Sequence, residues 1–265
     1  MGRLTNRNCL VTGAARGIGL AIADALVREG GNVAYVDVDP AVVRVAETVA
    51  ERVRGDGAGR TVGLRGDVTK RTDIRAAVAG VVQAFGSLNV MFNNAGINRP
   101  LNFMDVTEEN WDLILRVNAL SVLLGTQEAA RQMIAQGGGG KIINTASVAS
   151  RQGYGNMAPY CASKAAVLSL TQAAARALAP HDITVNGFAP AVVLTPLWEQ
   201  LDKDLVAIGT SKSAGEAINM FSAGILRGRA ATPSDLTGTT TFLASADSDY
   251  ITGQTIMVDG GKFPV

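Results

Sequence analysis

The sequence predicts an α/β fold: a single-domain, doubly wound parallel sheet of about seven strands with helices on both faces. Three observations carry that expectation. Short β-branched runs alternate with longer segments whose apolar residues recur three and four apart. Each intervening segment is long enough to return the chain for a parallel strand. No Pro- or Ser-rich linker and no internal repeat divides the 265 residues, so 1–265 reads as one domain.

Strands are expected at 9–11, 33–36, 62–64, 90–92, 142–144, 184–186 and 255–258, where Val, Ile, Leu, Met, Phe, Tyr and Thr cluster. Helices are expected between them at 17–29, 41–53, 72–85, 107–135, 158–178 and 233–244. Gly137 to Gly140 lies between a helix and a strand and reads as a turn. One stretch breaks the alternation. From Thr195 to about Arg227 the sequence is helical and amphipathic with no strand until Thr255, which marks an insertion of the kind that forms a substrate lid.

Composition removes several chemistries. A catalytic zinc site needs about three clustered ligands, and His181, Cys9 and Cys161 stand singly, so no metal site is expected. A Ser-His-Asp hydrolase would rest on His181 alone, and no Gly-x-Ser-x-Gly elbow is present. Proton chemistry is left to Tyr, Lys, Asp or Glu, with a cofactor carrying the harder step. Twenty-four basic and 23 acidic residues give a net charge of +1, which offers no field for nucleic acid or an anionic membrane. The basic set Arg52, Arg54, Arg60, Arg65, Lys70, Arg71 and Arg75 is interleaved with Glu51, Asp56, Asp67 and Asp73, a solvated face. No apolar run has membrane-spanning length and no signal or myristoylation pattern opens the chain. Two unpaired cysteines fit a reducing cytoplasm.

The first strand runs through Gly13-Ala14-Ala15-Arg16-Gly17-Ile18-Gly19 straight into a helix. Glycines in that setting let backbone amides approach a pyrophosphate at the positive helix N-terminus, the Rossmann-like arrangement. Asp37, 18 residues beyond Gly19, ends the second strand, where a carboxylate accepts from the adenosine ribose hydroxyls. Like charge would repel a 2′-phosphate there, which favours NAD over NADP. Arg16 pulls the other way, since a guanidinium pairs well with that phosphate. Further along, Tyr160 and Lys164 stand four apart on one helix face. A nearby ammonium favours the ionised phenol, so the pair makes an acid/base unit.

With these landmarks in order, the chain resembles the short-chain dehydrogenase/reductase family over essentially its whole length. The matches are the glycine loop, Gly66-Asp67-Val68, Asn93-Asn94-Ala95-Gly96, Asn118, Ser147 thirteen positions before Tyr160, Lys164, Asn186 and Pro190. The resemblance implies that Tyr160 exchanges a proton with the substrate oxygen and Ser147 hydrogen-bonds it. Lys164 would bind the nicotinamide ribose and lower the pKa of Tyr160, and Asn118 would hold a water of a proton relay. Asp67 and Val68 would contact adenine, while Asn94, Ala95 and Gly96, with Pro190, Val193 and Thr195, would line the cofactor. A homotetramer is implied, with the helices at 107–135 and 158–178 at its main interface. One departure is Ala191, where the family has Gly after Pro; we expect a negative φ there and retained cofactor binding.

The stretch Gly140 to Ala166 is similar to bacterial polyol dehydrogenases of the sorbitol type. Thr195-Pro196-Leu197-Trp198 and the tail Asp247 to Gln254 are similar to acetoin reductases. The implied reaction is NAD-dependent interconversion of a secondary alcohol and a ketone, on a polyol or a small vicinal diol or hydroxyketone. Asn98, Gln152, Asn156 and Trp198 are the side chains placed to reach such a substrate. A 3-oxoacyl-thioester reductase is the alternative, set against Asp37 because it would favour NADPH. A non-catalytic dinucleotide-binding regulator would have no use for Ser147, Tyr160 and Lys164, and an extended-type epimerase or dehydratase would carry a differently spaced glycine loop.

Overall fold

The computed structural model describes residues 2–53, 55 and 57–264. Arg54 and Asp56 of the interleaved charged set therefore lie outside the described residues, as do Met1 and Val265. The strands are β1 (Asn8–Thr12), β2 (Asn32–Asp37), β3 (Thr61–Arg65), β4 (Val90–Asn93), β5 (Gly140–Thr145), β6 (Ile183–Pro190) and β7 (Thr255–Val258). They form one sheet in the order β3-β2-β1-β4-β5-β6-β7, and every pairing is parallel. Strand order reverses between β1 and β4. At such a switch point the loops leaving the strand ends diverge and open a crevice.

The helices are α1 (Gly17–Arg28), α2 (Val42–Arg52), α3 (Arg71–Phe85), α4 (Glu108–Leu115), α5 (Ser121–Gln136), α6 (Ala158–Leu178), α7 (Pro196–Ala207), α8 (Glu216–Ser222) and α9 (Ser234–Ala244). Side-chain alternation along the strands divides the core in two. Val11, Val33, Tyr35, Val90 and Phe92 face α1, α2 and α9 through Ile22, Leu26, Val49 and Leu243. Leu10, Ala34, Val36, Met91 and Ile142 face α3, α5 and α6 through Val78, Val81, Met133 and Ala175. Strands buried on both faces explain why they read as continuous apolar runs.

Two expectations change. The helix expected over 107–135 is α4 and α5 joined by a π-turn at Arg116–Leu120, with Asn118 inside it. The Gly137–Gly140 turn keeps positive φ at Gly137, Gly138 and Gly139, and Gly140 already begins β5. Among the described residues of the expected solvated face, Arg71 and Arg75 are partnered: they converge with Arg131 on the buried Glu128 carboxylate. The insertion over 195–227 holds α7 and α8. Leu201, Leu205 and Ala217 seat these helices on Ala149, Met157 and Cys161. No helix among the described residues is long and apolar enough to cross a membrane.

Between the layers runs a buried polar network. Asn93 Nδ2 donates to Asn144 Oδ1 at 2.9 Å and to Thr126 Oγ1 at 3.2 Å, and Asn144 Nδ2 donates to Thr171 Oγ1 at 2.9 Å. The network closes because Gly125 on α5 has no side chain: a Cβ there would fall 2.0 Å from Asn93 Oδ1. Gly125→Ala should lower the unfolding free energy by about 1–3 kcal/mol through overpacking. The check is a drop in urea midpoint at unchanged denaturant slope.

Candidate active site

At the crevice, β1 ends in Thr12 and the chain turns at Gly13, with φ 67°. A Cβ at Gly13 would lie 2.9 Å from the Ala95 Cα, and one at Gly19 would lie 2.1 Å from the Gly13 carbonyl oxygen. Any side chain at these positions would force the loop apart. Helix α1 begins with no acidic residue in its first turn and no side-chain cap from Arg16. Its first N–H groups thus remain available to an anion. Ile18 packs half-buried on the core below, and Arg16 is exposed at the loop.

Asp37 ends β2 with its carboxylate already fixed: Oδ2 accepts from the Ala15 N–H and Oδ1 from the Asp39 N–H, both at 3.0 Å. The Asp37 carboxylate and the glycine loop are therefore one unit. Beyond β3, Gly66, Asp67 and Val68 join Leu10, Val36 and Ile74 around a small apolar recess. A cradle that only glycine permits, an uncapped helix N-terminus, a carboxylate at the end of β2 and a small apolar recess fit a dinucleotide.

Thr12, Asn94 and Thr145 connect the ends of β1, β4 and β5. Thr12 Oγ1 accepts from the N–H of Asn94 at 2.9 Å and of Ala95 at 3.1 Å, and Asn94 Nδ2 donates to the Thr12 carbonyl. Thr145 Oγ1 donates to Asn94 Oδ1 at 3.2 Å, and the Thr145 carbonyl accepts from Lys164 Nζ at 2.8 Å. Asn118, fully buried in the π-turn, accepts from the Ile97 N–H at 2.8 Å and donates to the Ile97 carbonyl and to Ser163 Oγ. It props the 94–98 loop against α6. Gly96 is hemmed between them, since a Cβ would meet Asn118 Oδ1 at 3.3 Å and Lys164 Nζ at 3.6 Å.

Tyr160 and Lys164 lie in the first two turns of α6, and Lys164 Nζ sits 5.8 Å from the centre of the Tyr160 ring. Ser147, just past β5, caps a short helical turn by accepting from the Ala149 N–H. Burial acts on the pair with opposite signs because it disfavours the charged form of each. It pushes the Tyr160 phenol up to about 12, with the Ser147 hydroxyl pulling back, and pushes the Lys164 ammonium down to about 8. At neutral pH the phenol holds its proton, ready for donation. Working as a base, it must first lose that proton, which the Ser147 hydrogen bond eases; the phenol is raised, not lowered as expected from Lys164, because burial dominates.

Ser147 and Tyr160 line a cleft with Asn98, Trp198 and Ala191. Gln152 is exposed, and Asn156 donates to Thr210 Oγ1 at 3.2 Å; neither is among the residues lining the cleft. The rest of the wall went unnoticed in the sequence: Tyr154, Met157, Leu197, Leu201, Phe221, Lys262 and Phe263. Phe221 stacks edge-on with both Tyr154 and Trp198, at 5.6 and 5.7 Å between centroids. The available signal was aromatic residues on the inner face of the insertion and in the tail. Ala191 has no positive φ, a property that among described non-glycine residues belongs only to Asn6 and Asp182, so its methyl simply joins the wall. Pro190 ends β6, Val193 bridges to Ala231, and Thr195 caps α7 with its methyl group facing Gly17. Asn186 does structural work at β6, bonding Ile251 and Gln254.

Fold and site together define a dinucleotide-dependent oxidoreductase. The chain belongs to the short-chain dehydrogenase/reductase family, and it is an NAD(P)-dependent enzyme. Residues 13–262 match the family described as enoyl-(acyl carrier protein) reductase. The chain is 38% identical to a diacetyl reductase (S-acetoin forming) of Staphylococcus epidermidis, over 97% of this chain and 98% of that one. It is 41% identical to a galactitol 2-dehydrogenase of Agrobacterium fabrum, over 98% and 99%. A solved structure from Beutenbergia cavernae, assigned as an NAD(P)-dependent gluconate 5-dehydrogenase with NADP at low occupancy, matches with TM-score 0.84 and 33% identity over 98% of this chain and 97% of that one.

The opposed shifts of Tyr160 and Lys164 set a pH dependence. Between about pH 6 and 8, kcat/KM for alcohol oxidation should rise about tenfold per unit as the phenolate fraction grows, and ketone reduction should not. In Lys164→Met the rising limb should move up by about one unit or more. Profiles of rate against pH for the wild type and for Lys164→Met, in both directions, provide the check.

Proposed function

We propose that the protein interconverts a secondary alcohol and a ketone with NAD(H), on a polyol or a small vicinal diol or hydroxyketone. The observation that carries this reading is the placing of Ser147 and Tyr160 on the wall of one cleft, with Lys164 buried behind them. Tyr160 gives a proton to the ketone oxygen or takes it from the alcohol, and Ser147 donates a hydrogen bond to the same oxygen. Lys164 holds the nicotinamide ribose and favours the phenolate. Asn118, at a π-turn that loosens the helical ladder, holds the water that passes the proton onward. When bound, the dinucleotide supplies or takes up the hydride.

Gly13, Gly17, Ile18 and Gly19 would seat the pyrophosphate at α1, Asp37 the adenosine ribose, and Asp67 with Val68 the adenine. Asn94, Ala95, Gly96, Pro190, Val193 and Thr195 would border the nicotinamide half. Asp37 supports NAD, because its carboxylate is anchored to the glycine loop and would face a 2′-phosphate at close range. Exposed Arg16 is the counterweight, and it has the freedom to swing toward such a phosphate. The names of the diacetyl and galactitol relatives support a substrate with oxygens on neighbouring carbons. Helices α7 and α8 act as its lid. Exposed Phe103, Met104 and Trp111 beside α4 support a homotetramer built on α4, α5 and α6, and the unpaired Cys9 and Cys161 support a reducing cytoplasm.

The decisive experiment is turnover of polyols, diols and ketoacyl thioesters with NAD(H) and with NADP(H), on the wild type and on Tyr160→Phe. Wild type should prefer NAD(H) and the hydroxylated substrates. The variant should lose about a thousandfold or more in kcat while binding NADH within about threefold of wild type. Retention of over a tenth of the activity would overturn the assignment of Tyr160.

A further inference from the structure

The cleft wall is uneven in its chemistry. Among its polar side chains, Ser147 and Tyr160 serve the reacting oxygen, and Lys262 Nζ is committed to the Ala223 carbonyl at the end of α8. Asn98, the Tyr154 phenol and the Trp198 indole N–H remain. Asn98 is 8% exposed, and its Oδ1 has no hydrogen-bond partner. Its Nδ2 faces the Met157 Sδ at 3.0 Å, and a thioether is a weak acceptor. Nearly all of this amide's bonding capacity is therefore unused at a buried position, where native proteins seldom leave it so. Most of the remaining lining is apolar: Val148, Leu197, Leu201, Phe221 and Phe263, with the ring of Trp198.

We propose that Asn98 recognises an oxygen on the carbon next to the reacting one, and that the apolar lining receives an aryl or branched alkyl substituent. The substrate is then a vicinal diol, or its hydroxyketone, with one apolar flank, and not a hexitol. This rests on the secondary-alcohol reading given above. Asn98 borders the cleft, but Oδ1 is closed to solvent as it stands, so recognition requires a turn of the terminal amide about its last, broad torsion. Once turned, the amide accepts from a hydroxyl or donates to a keto oxygen, so one residue serves both redox states of the neighbouring carbon. Its backbone is held in place, because Asn118 grips both polar groups of Ile97, the preceding residue.

Hexitols fit poorly for the same reason. After the reacting and the neighbouring hydroxyl are bound, four more would enter a wall whose uncommitted polar groups are the Tyr154 phenol and the Trp198 indole N–H, and unsatisfied buried hydroxyls are unfavourable. In the reaction itself one carbinol carbon becomes a ketone. Its C–H leaves as hydride to NAD, its O–H proton goes to Tyr160, and the neighbouring hydroxyl is unchanged.

The test compares 1-phenyl-1,2-propanediol, 1-phenyl-2-propanol, which lacks the neighbouring hydroxyl, and sorbitol, each with NAD and with NADP. Wild type should favour the diol over each of the others by about tenfold or more in kcat/KM. Asn98→Ala should cut the diol to mono-alcohol ratio by about tenfold, with NADH binding confirming a folded site. Sorbitol turned over as well as the diol overturns the inference from the wild type alone, whatever becomes of the variant. A diol to mono-alcohol ratio unchanged in Asn98→Ala also overturns it, since a purely structural asparagine would lower both substrates in parallel. Failure of the wild type on all three, with either dinucleotide, would instead bring down the secondary-alcohol reading on which the inference rests.

Discussion

A single hydrogen-bonded line, from Thr12 at the end of β1 through Asn94 and Thr145 to Lys164 on α6, fixes the separation between the glycine loop and the acid/base pair. Every link is a group that the fold has removed from bulk water, wholly or in large part. Losing one partner would leave the next group unsatisfied in a low-dielectric setting, and members of such a chain depend on one another for that reason. The line crosses three adjacent strands at their C-terminal ends. It exists only because the sheet order brings β1, β4 and β5 side by side. Hydride transfer demands that the nicotinamide and the proton donor meet at one substrate carbon within a fraction of an ångström, and rigid coupling of the two half-sites supplies that alignment.

The same removal from water works on each side chain according to its chemistry. It keeps the Tyr160 phenol protonated, weakens the hold of Lys164 on its proton, and makes the unpartnered amide of Asn98 a place where a substrate oxygen is welcome. Reactivity and recognition thus draw on one cause. The hydrophobic wall that shields the chemistry from water is also the wall that excludes substrates bringing too many hydroxyls.

Most of the architecture was legible because strands buried on two faces leave unbroken apolar runs, and Gly13, Gly19 and Asp37 sit where only a few residue types serve. The spacing of Ser147, Tyr160 and Lys164 was equally plain. The cleft was less so. Tyr154, Phe221 and Phe263 come from three segments far apart in sequence, and an aromatic residue on an amphipathic helix looks the same whether it faces a core or a substrate. Gln152 and Asn156 had the right polarity and the right neighbourhood, but side-chain direction in a loop is set by tertiary contacts such as that between Asn156 and Thr210. The three-arginine grip on Glu128 was hidden for a similar reason, since α3 and α5 meet only after the sheet forms.

The π-turn at Arg116–Leu120 was invisible as well, because apolar periodicity tolerates one extra residue. Its consequence is a phase relation. An additional residue advances a helix by about 100°, so α5 presents Ala129 and Met133 to the sheet on a face that an uninterrupted continuation of α4 would have turned aside. Asn118 occupies the point of that rotation. The segment is therefore a fixed-length gear between α4 and the sheet-facing side of α5: shortening it by one residue would unscrew the buried face of α5 from the sheet and withdraw the prop from the 94–98 loop in the same motion.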